Sequence, residues 1–204
     1  MCNKNKDMKV WNILIVVLLV ACNKAQEKGF VKIELDPIDR DKIIQSIIPD
    51  KKYVYWEYGR IDMIRDSYTI RIVGDSAFKK LIIKPKSGFF VECMPGYCAS
   101  YIAFIDSGKV KYVTTESEFR KFIGKIDNLE EALLVSKTYD LWFDEKDKRG
   151  GSYRRTQNGY ELYLCKYCHC PVSKESIKVY IDSSGNFKSI NKGYYYKSKD
   201  CIMM

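Results

Sequence analysis

The chain begins with a basic segment (Lys4, Lys6, Lys9) and then an unbroken apolar run of nine residues, 13–21. A membrane-spanning helix needs about 20 apolar residues, so this run is too short to cross a bilayer. It has instead the proportions of the apolar centre of a secretory signal. Residues 22–29 are polar and small after Cys22 and read as a flexible tether. From Phe30 the dominant period is two. Phe30, Val31, Ile33 and Leu35 predict a short strand, closed by Asp36-Pro37. Asp39 is placed to cap a short helix through Ile43, Ile44, Ile47 and Ile48, ended by Pro49. Residues 53–58, aromatic and β-branched, form a strand stopped by Gly59. Tyr68, Ile70 and Ile72 alternate with Thr69, Arg71 and Val73 in another. Residues 75–83 fit either a helical turn capped by Asp75 or a strand ending at Lys84-Pro85. Residues 89–92 read as a strand leading into Cys93. Residues 101–105 and 109–113 flank Asp106-Ser107-Gly108, a strong hairpin signal.

The period then changes to that of a helix. Thr115-Glu116-Ser117-Glu118 fits a capping box, followed by Phe119, Phe122 and Ile123 on one face. Asp127 and Glu130 repeat the pattern for a second helix, with Leu129, Ala132, Leu133 and Ser136 on one side. Glu130 and Glu131 read as first-turn charges that favour the helix dipole. Residues 144–151 are charged, end in paired glycines and predict an exposed loop. The last third returns to period two: residues 160–166, then Ile177, Val179 and Ile181, a turn at Ser183-Ser184-Gly185-Asn186, residues 187–190, and Tyr194-Tyr195-Tyr196 before Cys201. The expected fold is α+β: antiparallel sheet with a mid-chain helical pair, braced by disulfides. Its organisation is a leader (1–21), a tether (22–29) and a single domain (30–204), a size ordinary for one domain.

Composition narrows the chemistry. Hydrophobic residues make up 46% and charged residues 30% of the chain, which excludes wholesale disorder. The single histidine, His169, excludes a His-rich zinc or di-iron centre built from this chain alone. Gly-x-Ser-x-Gly, His-Glu-x-x-His and a Gly-rich phosphate loop are all absent from the sequence. A binding or structural role without a cofactor is therefore expected rather than an enzyme. The formal charge is +9; without residues 1–21 it is +7, from 32 basic and 25 acidic residues. An exported basic protein meets anionic lipid headgroups, polysaccharide or another envelope protein, and not nucleic acid. Tyr53, Tyr55, Trp56 and Tyr58 have the composition of a sugar-stacking platform, but half-buried sheet aromatics explain them more simply.

Leu19-Val20-Ala21-Cys22 resembles the lipobox of bacterial lipoproteins. The resemblance implies a diacylglyceryl thioether on Cys22, cleavage just before it and acylation of the new amine. Two or more acyl chains hold a protein stably at a membrane. Met8-Lys9 would itself open a compact leader, so Cys2 falls before the true start or is lost with the leader.

Six of the eight cysteines then remain for the domain: Cys93, Cys98, Cys165, Cys168, Cys170 and Cys201. An even number beyond the cytoplasm favours disulfides. Pro95-Gly96 between Cys93 and Cys98 is a turn dipeptide that can bring the two together. Cys165 is expected to end a strand, with Cys168 and Cys170 in the following turn before Pro171. Cys201 needs a partner from this cluster, and Cys170 is the choice; that bridge would close a loop of about 30 residues and contribute roughly 3–4 kcal/mol. Cys165 and Cys168 would then pair with each other or stay reduced. Two alternatives use the same residues. The Cys-x-x-Cys spacing of Cys165 and Cys168 is that of a thiol–disulfide pair. Cys165, Cys168 and Cys170, with His169 or with Cys93 and Cys98, offer ligands for zinc or copper(I). His169 by itself reads as an exposed turn residue.

Phe119 and Phe122-Ile123-Gly124, then Ile126-Asp127 and Glu131-Ala132-Leu133-Leu134, resemble a segment of uncharacterised lipoproteins of Bacteroidota. There it precedes a Cys-Pro near a late strand and a terminal Cys, which Cys170-Pro171 and Cys201 match. The resemblance covers residues 85–204. It implies a lipid-anchored envelope protein, with the outer membrane favoured and the domain facing periplasm or cell surface. It also implies the Cys170–Cys201 bridge, and no activity.

Overall fold

The computed structural model describes residues 28–36, 40–64, 67–93 and 96–202. The expected leader, Cys22, most of the expected tether and the expected helix cap Asp39 lie outside the described residues. From Val31 onward the chain builds two antiparallel sheets. The larger is ordered β1-β6-β7-β8-β9: β1 (Val31–Lys32), β6 (Gly151–Thr156), β7 (Gly159–His169), β8 (Val172–Asp182) and β9 (Phe187–Lys197). The smaller is ordered β3-β2-β4-β5: β2 (Tyr55–Asp62), β3 (Tyr68–Gly74), β4 (Cys98–Asp106) and β5 (Lys109–Val113). The helices are short: α1 (Arg40–Ile44), α2 (Glu116–Ile123), α3 (Leu129–Lys137) and a 3-10 turn at Ser76–Leu81. The domain is therefore mostly β, with a helical share smaller than an α+β reading implies.

Each sheet turns one face to a shared core. Trp56, Tyr58, Ile102 and Val113 come from the smaller sheet; Leu162, Leu164, Ile177, Val179 and Ile181 come from the larger. The amphipathic α2 adds Phe119, Phe122 and Ile123. Its capping box is formed as the sequence predicts, with Glu118 N–H donating to Thr115 Oγ1 and Thr115 N–H donating to Glu118 Oε2. Helix α3 differs from its expected one-sided pattern. Residues 131–136 are all buried, as befits a helix inside a core rather than on it. Its cap is Asn128, not Asp127: Asn128 Oδ1 accepts from Glu131 N–H at 2.9 Å. Among the described residues, both sheets, the three helices and the main core cluster lie within residues 31–202.

Several boundaries move for identifiable reasons. Gly59 does not stop β2, which runs on to Asp62. The Tyr101 ring from β4 lies against Gly59, where a Cβ would come within 2.3 Å of it, so glycine is needed there for packing. Residues 89–92 do not form a strand; only Phe89 bridges to Ser100. Residues 75–83 settle as the 3-10 turn, capped by Asp75 Oδ1 accepting from Ala77 N–H. The segments 187–190 and 194–196 are one strand, β9, whose pairing with β8 shifts register on both sides of Tyr194. Tyr55, Trp56 and Tyr58 are 0%, 3% and 1% exposed, so this aromatic patch is interior and cannot stack on a sugar.

The segment after β3 crosses the outer face of the smaller sheet as a strap. Ile82 packs with Ile61, Ala99 and Tyr101, Ile83 N–H donates to Tyr112 Oη, and Gly88 N–H donates to Tyr97 Oη. On that face lies Glu57, 2% exposed, whose carboxylate accepts from the Tyr55 and Tyr101 hydroxyls. Burial, together with the Glu57 charge, pushes both tyrosine pKa values upward.

Candidate functional site at the cysteine-rich end of the larger sheet

The cysteines singled out from the sequence gather at one end of β7–β8–β9. Strands β7 and β8 are each 11 residues long and pair along their whole length, whereas β6 has six. Beyond the start of β6, Trp142 takes over the edge of the sheet. Cys165 N–H donates to the Trp142 carbonyl at 2.7 Å, and Trp142 N–H donates to the Cys165 carbonyl at 3.1 Å. The chain then turns back at Asp144, whose N–H donates to the Gly150 carbonyl at 2.8 Å. Residues 144–151 are thus not a free exposed loop. They fold over the outer face of the sheet, where Ser176 Oγ donates to the Arg149 carbonyl and Ser152 Oγ to the Lys148 carbonyl. The paired glycines are required by this closeness: a Cβ at Gly150 would meet Tyr195 Oη at 2.2 Å, and one at Gly151 the Asp144 carbonyl at 1.9 Å.

Asp144, 8% exposed, is the hub beneath this loop. Its Oδ2 accepts from Lys174 Nζ at 2.7 Å and from Tyr195 Oη at 2.9 Å, and its Oδ1 from Lys146 N–H at 2.9 Å. Burial alone would raise its pKa, but Lys174, the Lys146 amide and Tyr195 outweigh that and hold it below the usual carboxylate value. A depressed folded-state pKa stabilises the fold above the unfolded value of about 3.9 and is lost as pH falls through the folded value. The loop is therefore expected to loosen below about pH 4. Fluorescence of Trp142, at the loop's base, should shift with acid in the wild type, and at higher pH in Lys174→Met, which loses the ammonium. Identical acid profiles for the two proteins would contradict this role of the ion pair.

Cys165 is a buried free thiol in the same cluster. Burial raises its pKa, and it hydrogen-bonds with Tyr195. A thiol so placed is kept protonated and inert. Strand β7 does not end at Cys165 but continues to His169, so Cys168 belongs to the strand and not to the turn. The added length comes from pairing: Tyr167 lies opposite Lys174, Cys168 opposite Ser173 and His169 opposite Val172. Side chains alternate along a strand, so Cys165 and Cys168, three apart, point to opposite faces and cannot bond without breaking it. Both are free. Cys168 is exposed, with Sγ 3.7 Å from the Cys170 carbonyl oxygen. His169 is exposed at the end of β7, its ring 4.6 Å from that of Tyr167.

Cys170 and Cys201 are joined by a disulfide, with Cα atoms 4.3 Å apart and a sequence separation of 31. The bridge lies beside three backbone bonds that bring the C-terminal tail to the β7–β8 turn: Val172 N–H to Asp200 O, Ser198 N–H to Val172 O and Ile202 N–H to His169 O. Cys93 and Cys98 form the second disulfide, with Cα atoms 5.0 Å apart at the start of β4. The proposed metal ligands do not converge. Cys165 and Cys168 face apart and Cys170 is oxidised, and among the described residues no group of three His, Cys, Asp or Glu could hold an ion.

A thiol reagent is expected to modify one cysteine, Cys168, in the native domain and two after denaturation. Peptide mapping after alkylation reads this directly. Four or more reactive thiols after denaturation, or native labelling of Cys165, would contradict the arrangement.

Sequence reasoning missed Asp144, Lys174 and Tyr195 as partners. The signal present was the Gly150-Gly151 pair, which marks close backbone approach as readily as a loop end. Two cavities lie elsewhere: one of about 450 Å³ near Asn158, Tyr180 and Phe187, the other of about 770 Å³ near Val31, Leu129 and Tyr153. No family model, no curated protein and no solved structure matches the chain.

Proposed function

We propose that the protein is a cell-envelope lipoprotein, held at a membrane by lipid on Cys22, whose disulfide-braced β domain has a binding or structural role. The observation that carries this is Leu19-Val20-Ala21-Cys22 at the end of a basic-then-apolar leader. The residue order and the position match what lipid attachment requires. Two disulfides in the domain behind it are consistent with an oxidising compartment outside the cytoplasm. The outer membrane is the favoured location, and the uncharacterised lipoproteins of Bacteroidota are the proposed kinship. The metal-binding and thiol-exchange alternatives have lost support, because their residues are split between two faces of β7 and a disulfide. Fractionation of cells expressing Cys22→Ser tests the proposal. The wild type should sediment with membranes and the variant should be soluble after export. A variant that stays with the membranes would overturn the anchor.

A further inference from the structure

We propose that one end of the domain, formed by residues 50–54, the β4–β5 turn and the close of α2, rests on anionic phospholipid headgroups. The proposal rests on the anchor at Cys22 and adds which surface the anchored domain turns to its membrane.

Backbone bonds tie the turns at this end into one surface. Ser183 N–H donates to the Asn158 carbonyl, Ile126 N–H to the Ser183 carbonyl and Asp50 N–H to the Ile123 carbonyl. The turns joining β6 to β7 and β8 to β9 are therefore continuous with the close of α2 and with the loop that enters β2. Tyr53 of that loop sits between two neighbours. Its ring stacks on Phe122 of α2, with centres 5.4 Å apart, and tilts against Phe104 of β4 at 4.7 Å. The charges gather around it. Lys125 Nζ is 3.4 Å from Asp50 Oδ1, and Lys111 Nζ donates to Asp106 Oδ2 at 2.5 Å. Lys109 stands opposite Asp106 in the hairpin, and Lys51 lies near enough to Asp106 to join Lys111 in lowering its pKa. Asp106, Lys111 and Asp50 all act on the Tyr53 hydroxyl, so they surround one point of one surface.

The balance there is basic. Residues 50–54, 106–111 and 121–125 hold six lysines against two aspartates. All six are exposed. Asp50 and Asp106 pair with Lys125 and Lys111, which leaves Lys51, Lys52, Lys109 and Lys121 in excess. Over the whole end, adding residues 126–130, 155–159 and 182–188, the count is eight basic to five acidic. One of the five, Asp182, already accepts from the Ser184 and Asn186 amides of its own turn.

The chain itself argues for lipid as the occupant. Val31 lies opposite Tyr153, and Tyr153 opposite Leu162. Leu162 is three residues from the start of β7 at Gly159 and seven from its end at His169, about 10 Å against about 23 Å. The nine steps from Cys22 to Val31 span at most about 32 Å. Lipid on Cys22 brings the Gly159 end to the headgroups with slack to spare, whereas turning the His169 end to them would leave the connection nearly taut. Ile48 and Val54, 52% and 59% exposed, flank the lysine loop and offer the shallow apolar contact that a bilayer interface takes up. Lysines held within a Debye length of anionic headgroups are each attracted to them.

The test uses the full lipidated protein, reconstituted into phosphatidylcholine vesicles with and without phosphatidylglycerol and exposed to a neutral acetylating reagent. Labelling of each lysine is read by mass spectrometry, and attachment by flotation. With phosphatidylglycerol, Lys51, Lys52, Lys109 and Lys125 should label about threefold more slowly or less than without it. Lys84, Lys86, Lys197 and Lys199, at the opposite end, should label alike in both. The protection should vanish at about 1 M salt, where the Debye length is about 3 Å. Lys51→Ala/Lys52→Ala/Lys109→Ala should float as the wild type does and lose most of the protection at Lys125. Equal labelling in the two vesicles, protection centred on the opposite end, or full protection of Lys125 in the triple variant would overturn the docking and leave the anchor standing. A wild type that floats with neither vesicle would overturn the anchor, and the docking with it.

Discussion

Glu131→Ala is expected to cost about 3–5 kcal/mol, the range for breaking a buried charged hydrogen-bond set. For a domain of this size that is a fall of roughly 10 °C in melting temperature. Glu131 is fully buried on α3. Its Oε1 accepts from Ile48 N–H at 2.6 Å and its Oε2 from Asp127 N–H at 2.8 Å. It works with two neighbours to fix the chain leaving α1: Arg71 of β3 donates to the carbonyls of Ile44 and Ile47, and Asn128 Nδ2 donates to the carbonyl of Ser46. Removing the carboxylate leaves the part-buried amides of Ile48 and Asp127 without that acceptor. Burial raises the Glu131 pKa in spite of those amides, so the charged form is held at a cost. Glu131→Gln keeps one acceptor oxygen but turns its NH2 toward an N–H donor, and is expected to lose about half as much. Thermal melts of the two variants test this ordering. A Glu131→Ala protein melting within a degree or two of wild type would mean the carboxylate is not what holds this segment.

Glu57→Ala is the second large effect expected, about 2–5 kcal/mol from two tyrosine hydroxyls losing their acceptor and from the cavity left behind. The strap over the smaller sheet should loosen with it. Phe78, whose ring centre is 6.4 Å from that of Tyr55, and Ile82, packed near Tyr101, belong to the strap, so a disturbance at Glu57 reaches both. Hydrogen exchange at residues 76–88 is the measurement, with faster exchange expected in the variant than at β8. Glu57→Gln retains a carbonyl oxygen for one tyrosine and should sit between the two. Unchanged protection of the strap in Glu57→Ala would show that the strap is held by its own contacts.

The parts of this fold legible in the sequence are those written in local chemistry. Thr115 and Glu118 specify the start of α2 by their spacing, and Asp106-Ser107-Gly108 specifies a hairpin by its turn. The parts that were not legible depend on a partner distant in sequence. Gly59 reads as a stop until the Tyr101 ring is known to lie on it. Glu57 and Glu131 read as a strand polar position and a helix-dipole charge, because their partners lie 44 and 83 residues away. The cysteine cluster was legible as chemistry but not as geometry. Its spacing is the same in a turn as in a strand, and only the pairing of β7 with β8 through His169 separates Cys165 from Cys168. The outcome is one inert thiol beneath the 144–150 loop, one exposed thiol, and a disulfide that ties the tail to the tip.

The central claim is that Cys22 carries lipid and a folded β domain hangs from it. Mass spectrometry of the N-terminal peptide from detergent-extracted protein tests this most directly. The prediction is a peptide beginning at Cys22, with a diacylglyceryl group on its sulfur and an acylated amine. A peptide containing residues 19–24 uncleaved, or one beginning at Cys22 with a free thiol, would contradict it.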